Sequence, residues 1–310
     1  MATTYLKRLP VSDGSDTTGT LSAWVKRGAV GVQTAVLCGQ EGTNDNQRIF
    51  FGWWVDDTLA LQIRNAGTNY EQSSVAKYRD PGAWYHLVAR LDTSNGVAQD
   101  RIQLFVNGEK MTTYTNNSTF PSSVKIKLFE NTTACETLVG VRKNGVGYES
   151  ILSGSMSHVH VIDGTAYDAS TFGETDATSG IWKIKTSPTV TYGTNGFNLK
   201  MEDRTNLDLD SGTNNFTDFV TAGTPTATYD NPSNNFSTMN PLDNYYPGAT
   251  FTNGNTKWSS TSSNHVWGTA TMPPEAGLWY WEVKPSTTGT MRIGVADRVM
   301  YNSSQAIGTF

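Results

Sequence analysis

Residues 84–91 read WYHLVARL and residues 101–108 read RIQLFVNG. In the second stretch Ile102, Leu104 and Val106 fall on one face at a period of two, the spacing of a half-buried strand. Asn107–Gly108 follows at once, the dipeptide that best tolerates positive φ at both centres of a tight hairpin. The first stretch is strand-sized and is led by two large aromatic residues behind the turn-forming Pro81–Gly82. The same grammar recurs outward along the chain. Thr20–Arg27 sets Leu21, Ala23 and Val25 against Ser22, Trp24 and Lys26, and the stretches 48–55 and 59–63 bracket Asp56–Asp57 as a hairpin. Asn-Gly returns at 95–96, 144–145, 195–196 and 253–254, with further strands predicted at 136–142, 155–163, 196–201 and 279–283. No window of eleven residues carries a 3.6 period, which leaves room for helical turns only.

Composition agrees. The 310 residues include 43 threonines and 34 aromatic side chains, with only 16% charged. Threonine is β-branched and favours the pleated strand, while that much aromatic surface supplies a core and excludes a disordered tail. A helical bundle and a coiled coil are excluded too. The predicted fold is all-β: an antiparallel two-sheet sandwich over residues 1–220, a Thr-, Asn- and Pro-rich linker over 221–240, and a second, incomplete β-sandwich segment over 241–310. Gly82-x-Trp84-Tyr85-x-x-Val88 is echoed by Gly277-x-Trp279-Tyr280-x-x-Val283, one local solution used in both parts.

The net charge is −5 and the basic pairs Lys7–Arg8, Lys26–Arg27 and Arg142–Lys143 are isolated. A nucleic-acid binder needs a clustered cationic face, so none is expected. No apolar run approaches the about 18–20 residues of a membrane span, and the N-terminus lacks the apolar segment of a secretion signal. Cys38 and Cys135 read as two buried thiols, with pairing left open.

More of the chain fits a known pattern. The Trp-led strand at 84, the strand ending in Asn107–Gly108 and TLSAWVKR (20–27) together resemble the concanavalin A-like jelly roll, in its laminin-G and pentraxin-like form. SMSHVHVIDGTAYDASTFGETDATSGIWKIK (155–185) and YGTNGFNLKMED (192–203) resemble virion-associated proteins of tailed, particularly marine, phages. In those proteins the jelly roll is followed by an Asn-Pro-Leu-Asp segment and a SPRY-like sandwich. Met239–Asp243, GLWYWEV (277–283) and MRIGVAD (291–297) keep that order. The resemblance implies a virion surface protein made in the host cytoplasm, partnered by other virion proteins and assembled as a homo-oligomer, trimeric for a fibre. A tail-fibre or surface-appendage component with adhesion potential leads. A capsid-decorating protein and a soluble carbohydrate-binding lectin module are the alternatives.

No catalytic set accompanies this. The glucanase members of the fold use Glu-x-Asp-x-x-Glu, because retaining hydrolysis needs two carboxyls about 5–5.5 Å apart. The nearest match, Glu174-x-Asp176, has Ser179 in place of the last Glu. There is neither a Gly-x-Ser-x-Gly elbow nor a phosphate loop, so the expectation is a non-enzymatic protein. His158 and His160, two apart on a predicted strand, read as packing residues of one face. Trp53 and Trp54 are adjacent in a strand and must point to opposite faces. Trp54, Tyr70 and Tyr148 are therefore the candidate glycan platforms, since a pyranose ring stacks on an aromatic face. Calcium is the one cofactor the laminin-G and pentraxin resemblance implies. Among the turn-type candidates, which include Asp92 and Asp100, the preferred ligands are Asp56, Asp57 and Asp163.

Overall fold

The computed structural model describes residues 4–295, apart from 44, 132–134, 246–247, 263–265, 287–290 and 292. Strands follow one another at Tyr5–Arg8 (β1), Thr18–Arg27 (β2), Thr34–Glu41 (β3), Arg48–Trp53 (β4), Thr58–Asn65 (β5), Thr68–Lys77 (β6), Trp84–Asp92 (β7), Ile102–Val106 (β8) and Glu109–Lys110 (β9). Then come Tyr114–Asn117 (β10), Cys135–Val139 (β11), Arg142–Asn144 (β12), Gly147–Glu149 (β13), Gly154–Asp163 (β14), Gly173–Thr175 (β15), Trp182–Ile184 (β16), Phe197–Leu199 (β17) and Val220–Ala222 (β18). Helical structure among the described residues is limited to two 3-10 turns, Ala98–Asp100 and Ala169–Thr171. The all-β expectation holds.

Eight strands form one sheet in the order β10-β6-β5-β4-β3-β11-β1-β18, and six form the other in the order β17-β14-β2-β7-β8-β9. The ladders are antiparallel, as in β2 against β7 and β4 against β5. The positive φ angles of Asn107 and Gly108, and of Asn253 and Gly254, are those their turns require. Asn195 does something different: its buried side chain accepts from Val11 N and donates to Ser12 O, fastening the N-terminal segment.

The core lies where the alternation predicts it. Leu21, Ala23, Val25, Leu87, Ala89 and Leu104 of the six-stranded sheet face Ile49, Phe51, Trp53, Leu61 and Ile63 of the eight-stranded sheet. Trp53 is fully buried here, and Trp54 lies on the opposite face, stacked on Phe50. Gly39 marks a close approach: a Cβ there would sit 1.8 Å from the Lys127 carbonyl oxygen. Cys38 stands opposite Leu138 and Cys135 opposite Glu41 in the β3–β11 register, so the two sulfurs are not bridged. Burial pushes the Cys38 thiol up to about 11.

The polar alternates are buried as well. β2 and β14 are covered on both faces over most of their length, as are β3 and β4. The outer face of the eight-stranded sheet carries Cys38, Leu138 and Val141, packed by Tyr5, Tyr148 and Ile151. On the six-stranded sheet Val88, Phe105 and Ile162 are covered by Ala169, Phe172 and Tyr192. A third layer of chain therefore wraps the outside of the sandwich.

His158 and His160 do not share surroundings. The β2–β14 register shifts between Ser157 and His160, and His158 has a φ of 49°. This bulge sends His158 to Ser157 Oγ, while His160 Nδ1 is hydrogen-bonded to the Tyr192 hydroxyl.

The chain divides into two compact units, Met1–Phe236 and Ser237–Phe310. The division falls within the stretch 221–240, whose earlier part is hydrogen-bonded into the first unit. In the second unit Met239–Tyr245 pairs with Trp267–Ala270, and Ala249–Thr252 with Lys257–Ser260. The strand expected at Trp279–Val283 is not formed. No ladder partner stands beside it among the described residues, and Leu278, Trp279, Tyr280 and Trp281 are exposed. The strand expected near Met291 lies partly outside the described residues.

Asp57 ties the sandwich at one end. Its carboxylate meets Arg27 Nη2 at 3.0 Å and Arg79 Nε at 2.7 Å and accepts from Gly31 N at 2.7 Å. Arg27 is itself buried against the Trp53 ring. Burial alone would raise the Asp57 carboxyl, but the Gly31 amide and the Arg79 and Arg27 guanidiniums hold it below the usual carboxylate range. Its φ of 70° is one that Asn also accepts. Asp57→Asn therefore isolates the charge, and is expected to cost about 3–5 kcal/mol in denaturant unfolding by leaving Arg27 buried and unpaired. A carboxyl held below its unfolded pKa stabilises above that value and ceases to as pH falls through its folded pKa. The wild type should therefore lose stability below about pH 4, and the variant should lose less over the same range.

Candidate functional site

The residues proposed from the sequence as glycan platforms are scattered. Trp54 is half-buried, stacked on Phe50 at 4.4 Å between ring centres, with its Nε1 donating to Glu71. Tyr70 turns inward and packs on the core beside Phe120. Tyr148 stacks on Tyr5 at 4.8 Å, donates to Glu136 and accepts from Lys7. Strand pairing and the hairpin β12–β13 assign these rings to three packing tasks.

The calcium candidates do not fit a cation. Both oxygens of Asp57 are engaged by guanidiniums. Asp56 caps its own turn, accepting from Thr58 N and Oγ1. Asp163 accepts from Ser15 N, Asn195 N and Asn195 Nδ2 at the far end of β14. Among the described residues no group of three His, Cys, Asp or Glu side chains could hold a metal ion. Asp176, from the partial glucanase motif, is an exposed turn residue accepting from Thr178 N and Ser179 N and paired with Lys183.

The site lies on the outer face of the six-stranded sheet. The β2–β7 register sets Trp24 opposite His86 and Lys26 opposite Trp84, all four pointing away from the core. The β15–β16 hairpin lays Trp182 beside them, and the Asn107–Gly108 turn closes the end. Trp24, Trp84, Asn107, Glu109, Thr175 and Trp182 line a hollow of about 430 Å3.

Three of its rings lie with nearly parallel planes. Trp24 stacks on His86 at 4.8 Å with an interplanar angle of 17°, and Trp182 lies within 20° of the same imidazole plane at 5.9 Å. Hydrogen bonds fix this arrangement. Indole Nε1 only donates, so the 3.0 Å bond from Trp182 to His86 Nδ1 makes that nitrogen an acceptor. The His86 proton is therefore on Nε2, donated to Ser22 Oγ at 2.9 Å. The backbone of His86 is held by Asn107, whose Oδ1 accepts from His86 N at 2.8 Å. Burial lowers the His86 pKa to about 3, which keeps the ring neutral.

Two glycines make room for Trp182. A Cβ at Gly108 or at Gly173 would come within 2.5 Å of the indole ring. On the other side, Trp84 Nε1 donates to Asp230 Oδ1 at 2.9 Å, and Lys26 Nζ pairs with Asp230 Oδ2 at 2.7 Å. Lys26 also donates to Asn235 Oδ1 and Phe236 O, and Asn235 Nδ2 donates to Gly82 O. The segment 230–236 thus straps Trp84 in place. Trp24 Nε1 is buried with no acceptor among the described residues.

Two outcomes follow from this geometry. The His86 ring should show the Nε2–H tautomer by nitrogen NMR and should not titrate between pH 8 and about 4.5; a transition near the ordinary 6.5 would contradict the buried stack. Gly173→Ala should displace Trp182 and destabilise the protein by about 1–3 kcal/mol, with altered tryptophan fluorescence. An unchanged spectrum would mean that the ring is not held there.

A family model described as the concanavalin A-like lectin/glucanases superfamily matches residues 2–167, just over half of the chain. No curated protein sequence matches. Among solved structures, the chain is similar to a native heptameric SAP-like pentraxin from Limulus polyphemus, at 16% identity over 64% of this chain and 88% of that one, TM-score 0.40. It is similar to a putative carbohydrate binding protein from Bacteroides ovatus at 14% identity, over 75% and 62% of the two chains, TM-score 0.44. A third is the CBM40 module of the Ruminococcus gnavus IT-sialidase, at 16% identity over 53% and 94%, TM-score 0.39. By its family match and its two antiparallel sheets, the chain belongs to the concanavalin A-like lectin/glucanase superfamily.

Proposed function

We propose that this protein is a non-enzymatic structural component of a tailed-phage virion surface, in a tail fibre or similar appendage. In this reading it grips host-surface glycans in the Trp24–Trp84–Trp182 hollow. The half-exposed Trp182 ring, held against His86 in the hollow, carries the binding part of the reading. The apolar face of a pyranose packs on an aromatic ring held in this way. Asn107, Glu109 and Thr175 among the lining residues supply hydroxyl partners. Rigid anchoring of the rings lowers the ordering cost of binding.

The virion part rests on the sequence resemblance at 155–185, 192–203 and 239–243, together with a low-charge, threonine-rich β chain. Within that reading the protein assembles as a homo-oligomer with other virion proteins, and residues 241–310 form a SPRY-like segment. Mass spectrometry of purified particles tests the location, and absence of the protein from them would overturn it. A glycan array tests the binding. Trp182→Ala should lower affinity for the bound neutral glycan roughly tenfold or more, as removal of a central aromatic anchor does. Trp54→Ala should leave it unchanged. The opposite ranking would remove the hollow from consideration.

A further inference from the structure

The same outer face holds a second hollow, of about 310 Å3, at the β17 edge of the sheet. Ser187, Tyr192, Asn198, Lys200, Ser211 and Thr213 are among its lining residues. In the register Asn198 pairs with His160, His160 with Ser22, and Ser22 with Val88 on β7. The two hollows share no lining residue.

Asn198 is 4% exposed and its backbone is fully used: N–H donates to Asp210 Oδ1 at 2.8 Å, and the carbonyl accepts from Ser211 N at 2.7 Å. Its side-chain oxygen Oδ1 is buried without a donor. A buried carbonyl oxygen left in that state is costly unless something entering the hollow donates to it. Lys200 brings a positive charge to the same hollow and forms no ion pair among the described residues. Of the neighbouring carboxylates, Asp210 is engaged by the backbone amides of Asn198, Gly212 and Phe216, and the exposed Glu202 lies 3.4 Å from His158 Nε2. The Tyr192 hydroxyl is hydrogen-bonded to His160 Nδ1 at 2.9 Å, and burial with the nearby Asp210 charge pushes its pKa up, so it stays a neutral wall.

These features select a ligand. Lys200 asks for an anionic group. Asn198 Oδ1 asks for a donor, which a fully ionised inorganic anion does not have. A neutral sugar supplies the donor and leaves the cation unused. We propose that this hollow is a separate binding site for a carboxylated sugar of the uronic acid class. The carboxylate pairs with Lys200, a ring hydroxyl donates to Asn198 Oδ1, and Ser211 and Thr213 flank the remaining hydroxyls. The site does not depend on the tryptophan hollow or on the virion reading.

Calorimetric titration of the full chain with trigalacturonate, the neutral galactose trisaccharide and sodium sulfate tests it. The uronate should bind at least about tenfold more tightly than the neutral trisaccharide. Lys200→Gln should abolish that preference and Asn198→Asp should weaken uronate binding further. Trp182→Ala should leave uronate binding intact, which separates this site from the other hollow. Thermal melts show whether Asn198→Asp is folded, and Lys200→Gln, at a partly exposed position, stands without it. No uronate binding at about 10 mM, sulfate binding as tight as uronate, or indifference to Lys200→Gln would each overturn the proposal.

Discussion

The central strands of both sheets are buried on both faces, and the remaining architecture answers to that constraint. An antiparallel sandwich ordinarily solvates its outer faces with polar alternates. Here those alternates include Trp24, Val88, Phe105 and Ile162 on one sheet and Cys38, Phe50 and Leu138 on the other. Such surface is driven out of water at roughly 25 cal/mol per Å2, so the chain must supply its own cover. The hairpin β12–β13 meets the eight-stranded sheet, and the segment carrying Phe172, Trp182 and Tyr192 meets the six-stranded one. Polar groups trapped beneath the covers then need partners, which explains the Ser22–His86–Trp182 chain of hydrogen bonds and the Lys26–Asp230 pair.

The tryptophan hollow lies where the cover thins, between the β15–β16 hairpin and the strap at 230–236. Trp182 is half-exposed there, while Trp24 of β2 and Trp84 of β7 stay buried. Each ring is held by a neutral or fully paired partner: Trp182 by His86 and by the absence of a Cβ at Gly108 and Gly173, Trp84 by Asp230. A surface held this stiffly suits display and gripping. The carboxylates that the sequence offers for catalysis or for calcium are spent instead on arginines, backbone amides and turns.

Much of the fold was legible because a period of two is a local signal. Leu21, Ala23 and Val25 announce the inner face of β2, and Asn107–Gly108 announces its turn. The same alternation already placed Trp24 outward between Ser22 and Lys26. An outward residue is normally a solvated one, and the cover that makes Trp24 part of a hollow arrives more than a hundred residues later. Trp54 follows from its adjacency to Trp53, and Tyr70 and Tyr148 from turn-rich stretches; neither signal says which ring packs on which. Asp57 looked like a turn residue with a spare charge; Arg27 and Arg79, which consume that charge, come from strands or loops far from it in sequence. The register shift at His158 is equally invisible, since only the partner strand reveals it.

The central claim is that ligand binding belongs to the outer face of the six-stranded sheet. A crystal structure of the full chain soaked with a neutral oligosaccharide that it binds tests this most directly. A sugar ring packed against Trp182 in the tryptophan hollow, with Trp84 still fastened to Asp230, is the predicted result. A ring seated against Trp54 or Tyr148 on the eight-stranded sheet, with the tryptophan hollow empty, would contradict it.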